Sequence, residues 1–176
     1  MAISTKLAPG HDDVAMAAAI SAFPCAETNI NPLTGLATDY LNHFNEAIML
    51  LEMLAETPGC RDDFFAWQPR NYSEHFAASN FKHRDVAIAA YGAADPALRQ
   101  RLDTLADTMN EILMATREVM RQPVSDASAD TIANLALRWI KPLVARAGAI
   151  INGTEAKRDP DQENTPQAAV DALMAR

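Results

Sequence analysis

The chain has 176 residues, 49% of them apolar and 22% charged, which is a globular rather than a disordered balance. A chain of this length folds as one domain that buries roughly 70% of the surface exposed when unfolded, so it needs no disulfide or metal staple. With 15 Lys and Arg against 23 Asp and Glu the net charge is −8, which argues against nucleic acid or an anionic membrane as a partner, since both need clustered basic residues.

Gly is scarce, at 6 copies, while Ala and Met are plentiful, and that balance favours helices. Cys25 and Cys60 are the only cysteines, and their spacing carries no CxxC metal or redox signature. The expectation is a reduced pair in a cytoplasmic protein. No apolar run approaches the ~20 residues that span a bilayer. Asp12 and Asp13 precede the apolar run Val14–Phe23, where a secretory signal would carry net positive charge.

Residues 1–30 read as an N-terminal arm with one short helix that Pro24 stops. The first long helix is expected from Asn31–Pro32 to about Glu56, with Thr57-Pro58-Gly59 ending it. Within it Leu36, Tyr40, His43, Ala47, Leu50 and Leu54 recur at spacings of four and three, widened by Phe44, Ile48 and Leu51. His43 lies inside that apolar stripe. Asp39 stands four residues before it and Glu46 three after, so both carboxylates are helical neighbours of the imidazole.

The following connector is rich in aromatics, and a short helix fits Arg61–Trp67 before Pro69. Asn71 with Glu74 three residues later has the form of a capping box. It opens a second long helix expected to run to just before Gly92, with Phe76, Asn80, His83, Ala87 and Tyr91 on one face. His75 falls off that row, on the wetter side. Asp95-Pro96 opens a third helix, in which Leu98, Leu102, Leu105, Met109, Ile112, Thr116 and Val119 keep a heptad up to Gln122-Pro123. A fourth begins in the Ser125–Asp130 region, carries Ile132, Leu135, Ala136, Trp139, Ile140, Leu143, Ala147 and Ile150, and stops at Asn152-Gly153. Pro142 inside it predicts a kink and no break, because the apolar period continues past it. Residues 154–176 read as a polar linker and a short C-terminal helix.

The fold expected is all-α: an antiparallel up-and-down four-helix bundle over 31–153, with short extra helices at the termini and in the first connector. The third and fourth helices carry enough apolar surface for a dimer face, so a homo-oligomer is expected, most simply a dimer.

Three functional classes compete. The first is a non-catalytic bundle acting by protein–protein interaction or regulation, with a protein partner or a second copy of itself. The second is a metal-binding bundle, with oxidoreductase chemistry open to it, holding a single Fe, Mn or Zn through His43, Glu46 and His83. The third is a small-ligand sensor whose site draws on Tyr40, His43, Trp67, Tyr72, Phe76 and His83. Known bundle chemistries fit poorly. A ferritin-like di-iron site needs Glu-x-x-His on two helices, whereas His43-x-x-Glu46 is reversed and occurs once. A hemerythrin-like site needs five histidines and the chain has 4. Histidine phosphotransfer needs an exposed His with a Gly close behind it, and His83-Arg84 is followed by Asp85. No GxSxG and no glycine-rich phosphate loop occurs.

Overall fold

The computed structural model describes residues 29–154 except 55, 56 and 58. The N-terminal arm with its short helix, Cys25 and the C-terminal helix expected beyond residue 154 lie outside the described residues. Within them the protein is all-helical, with one 3-10 turn (Thr38–Tyr40) and six α-helices. These are α1 (Leu41–Glu52), α2 (Cys60–Ala66), α3 (Tyr72–Ala78), α4 (Arg84–Ala93), α5 (Pro96–Arg121) and α6 (Asp126–Ile151). No described helix is long and apolar enough to cross a membrane.

The two 26-residue helices α5 and α6 form the spine. Asp95 accepts from the backbone of Ala97 and Leu98 and Pro96 takes the first turn, so α5 starts where the sequence places it. The Ser125 hydroxyl caps α6 by accepting from Ser128 N. Gly153, at φ +66°, lets the chain leave α6 in the left-handed conformation that a side chain would disfavour. Helix α6 continues through Pro142 without a break. It packs along α5 on one side and α1 on the other, with Leu102, Met109, Leu113 and Ile140 fully enclosed.

The buried face of α5 turns toward Leu113, Arg117 and Met120, which leaves Val119 49% exposed. That of α6 centres on Ala133, Ala136, Leu137 and Ile140. Leu135 and Trp139, expected in its core face, instead stand 46% and 56% exposed.

Two expected long helices prove shorter. The first does not begin at Asn31. Asn31 builds a turn, accepting Leu33 N on Oδ1 at 2.8 Å, and Ile30 and Ala37 then form an isolated antiparallel bridge. Gly35 makes the reversal possible: its φ is +70°, and a Cβ there would lie 3.2 Å from the Ala90 carbonyl oxygen. Leu36 and Ala37 are fully buried in the core from this bridged segment, outside any helix. Thr34 ties the turn to the end of α6 by donating to the Ile151 carbonyl at 2.6 Å.

The second expected helix divides into α3 and α4. The capping box at its start is present, with Asn71 Oδ1 accepting Glu74 N and Glu74 Oε2 accepting Asn71 N, both at 2.9 Å. Ser79 then turns the chain. Its Oγ donates to the Phe76 carbonyl at 2.9 Å and accepts Phe81 N at 3.2 Å, which offers the backbone an alternative to the helical ladder.

Candidate functional site

His43 lies on the buried side of α1 and is 3% exposed. Its imidazole stacks on the indole of Trp67, with centroids 4.6 Å apart and planes 24° from parallel. Trp67 sits just past the end of α2, and its indole N–H donates to the His43 carbonyl at 3.2 Å. The residue that fixes Trp67 comes from α5. Arg117, only 6% exposed, donates from Nη1 to the Trp67 carbonyl at 2.6 Å and to the Phe65 carbonyl at 3.4 Å, while Nη2 meets Met114 Sδ at 2.8 Å. A cation at the C-terminal carbonyls of α2 complements the partial negative charge there.

A second imidazole, His75 of α3, closes the other side, 5.8 Å from His43 between ring centroids. The Tyr40 ring meets His75 edge-on at 5.7 Å, and its hydroxyl donates to the Arg70 carbonyl at 3.0 Å. That bond anchors the segment between α2 and α3 onto the 3-10 turn.

Three buried polar atoms in this cluster lack a hydrogen-bond partner: His43 Nε2, His75 Nδ1 and Asp39 Oδ2. Burial pushes the His43 imidazole down to about 4, assisted by the positive charges of His75 and Arg70. His75 is also lowered, first by burial and then by Arg70, while the Asp39 backbone and carboxylate oppose the shift. Both rings are therefore neutral near pH 7. A neutral imidazole in an apolar setting still wants both of its nitrogens paired.

His43 and Trp67 form the floor of an open cleft of about 380 Å³ whose other walls include Glu46, Met49, Leu50, Asp63, Gln68 and Arg70. Glu46, Asp63, Gln68 and Arg70 are exposed rim residues. The Arg70 guanidinium pairs with no carboxylate among the described residues. The rim thus combines two anions and one cation above an apolar and imidazole floor.

The structure sorts the sequence candidates into separate places. His43, Trp67 and Glu46 share this cleft. Tyr72 and Phe76 are core residues at 1% and 0% exposure and pack on one another at 4.8 Å. The Tyr72 hydroxyl accepts Ala37 N at 2.8 Å. Tyr40, also fully buried as a residue, borders a second cleft of about 360 Å³ with Asn71, Ser73, Tyr91, Asp103, Ala106 and Asp107. There the Tyr91 hydroxyl reaches both Asp103 oxygens at 2.6 and 2.7 Å, and its ring stacks on Tyr72 at 4.4 Å. His83 stands apart at the start of α4, with its ring against Phe81. The structure therefore does not bring it to His43 and Glu46. Among the described residues no group of three or more His, Cys, Asp or Glu side chains is placed to hold a metal ion.

Three residues of the site escape a reading of the sequence. His75 falls off the expected apolar row because that row assumes one unbroken helix through Ser79. Arg117 is a charged residue beside an apolar stripe, which ordinarily means a solvated flank. Arg70 sits in a connector without periodicity. Compared with family models, curated proteins and solved structures, the chain matches none, so its functional reading rests on its own residues.

Proposed function

We propose that the protein is a non-catalytic binding protein that takes a small ligand in the cleft floored by His43 and Trp67. The observation that carries this reading is the cleft itself, floored by the stacked His43 imidazole and Trp67 indole. The cleft volume lies in the range of small-molecule sites, and the cleft combines a stacked indole, apolar side chains and several polar groups. The scaffold is read as an up-and-down helical bundle in which α3 and α4 together stand in the place of one helix. Their packing on one another supports that reading.

The test is an NMR fragment screen on the full chain, following the His43 ring and Trp67 indole resonances with neutral heteroaromatic fragments. Saturable shifts at both residues are expected. If every fragment leaves both resonances in place, the cleft is not a ligand site.

A second reading, self-association, is favoured by the exposed apolar residues of the spine. Leu135 and Trp139, one turn apart on α6, are 46% and 56% exposed, and Val119 on α5 is 49% exposed; adjacent large exposed apolar side chains mark contact surfaces. The partner under this reading is a second copy of the chain, and sedimentation velocity tests it.

A further inference from the structure

The charges around the cleft narrow the ligand further. Arg70 stands on the cleft rim with no carboxylate partner among the described residues, and Glu46 and Asp63 stand on the same rim. A bare cation would suit the two carboxylates but meet the Arg70 guanidinium. A bare anion would suit Arg70 but meet Glu46 and Asp63. A ligand carrying both charges satisfies both ends, with its anion at Arg70 and its cation toward the two carboxylates. Met49 and Leu50 add an apolar wall.

Resting on the ligand-binding reading above, we infer that the cleft takes a zwitterion of the α-amino-acid class. Its carboxylate lies at Arg70, its ammonium faces Glu46 and Asp63, and its apolar side chain lies against Met49 and Leu50, above the His43–Trp67 floor. The planar Arg70 guanidinium takes the carboxylate as a two-pronged pair, and the exposed ion pairs at the two ends set selectivity.

Three probes of one carbon skeleton test this on the full chain: L-leucine, isocaproate (the acid without the amine) and isoamylamine (the amine without the acid). In NMR titrations L-leucine is expected to move the His43 and Trp67 resonances with saturation, and each half-probe to bind about tenfold or more weakly. Arg70→Ala removes the advantage of L-leucine over isoamylamine, and Glu46→Gln reduces its advantage over isocaproate. Both side chains are exposed, so neither substitution threatens the fold. A half-probe that binds as tightly as L-leucine overturns the inference, as does saturable L-leucine binding that leaves His43 and Trp67 unmoved. If all three probes are silent while neutral fragments still shift His43 and Trp67, the zwitterion class falls and the site stands. Silence from fragments and probes alike removes both.

Discussion

The imidazole of His43 and the indole of Trp67 lie nearly parallel, 4.6 Å between centroids, and are tied again by the bond from the Trp67 indole to the His43 carbonyl. One helix and one connector are thereby fixed through two aromatic planes and a backbone atom. The floor of the cleft is consequently rigid, and changes in the charge of the imidazole act directly on the packing around it.

That coupling has a sign. Burial pushes the folded His43 imidazole down to about 4 from its ordinary 6.5, so the unfolded chain binds the extra proton between those values. Its contribution to stability is complete above about pH 6.5 and is lost as pH falls toward 4, by about 3 kcal/mol at most. The shift of His75 acts in the same sense. Urea midpoints measured across this window should fall in the native protein and fall markedly less in His43→Phe. Equal slopes for the two proteins would assign the acid sensitivity elsewhere.

Arg117 is buried with its donors on two carbonyls and a thioether. Truncating it to Ala leaves the Trp67 carbonyl unpaired and opens a void, which together cost about 2–5 kcal/mol. Arg117→Lys should recover only part of this, because a single ammonium cannot reproduce the planar fork. Chemical denaturation gives the cost. A change below about 0.5 kcal/mol for the Ala variant would mean that the clamp contributes nothing.

Tyr91 and Asp103 make a double-mutant cycle practical. Tyr91→Phe removes a hydroxyl bonded to both carboxylate oxygens and should cost about 1.5–3 kcal/mol. In an Asp103→Asn background the same substitution should cost clearly less, since the charge-assisted part is already gone. Costs that simply add would show that the two groups do not interact in solution.

Trp139 is more than half exposed, so Trp139→Glu should leave the stability of an isolated chain within about 0.5 kcal/mol. If the spine face joins two copies, the native protein sediments as a dimer and the variant as a monomer. Monomeric native protein at high concentration would end that reading.

Element by element, what was legible in the sequence followed local chemistry. Asp95-Pro96, Asn71 with Glu74, and Ser125 act where the residues themselves announce a helix start. The apolar stripes of α5 and α6 are long enough to place both helices, although Val119, Leu135 and Trp139 fall outside their buried faces. The extrapolations across Gly35 and Ser79 failed for one reason. A stripe of apolar residues records burial and not conformation, and Leu36 and Ala37 are buried in a bridged segment outside any helix. His43 and Trp67 were visible as site candidates because an ionisable group in an apolar stripe and a Trp in a connector are unusual. His75, Arg70 and Arg117 reach them only through tertiary packing, and nothing in their local sequence spacing records that.

The two tryptophans of this chain stand in opposite surroundings, Trp67 at 7% exposure under an imidazole and Trp139 at 56% on the outer face of α6. Nature has thereby built two optical reporters into one molecule. A water-soluble collisional quencher reaches Trp139 and spares Trp67, while events inside the cleft register in the shielded, blue-shifted emission of Trp67. If the cleft takes a ligand or two copies meet along α6, the two events are then separable in the same cuvette, without adding a label.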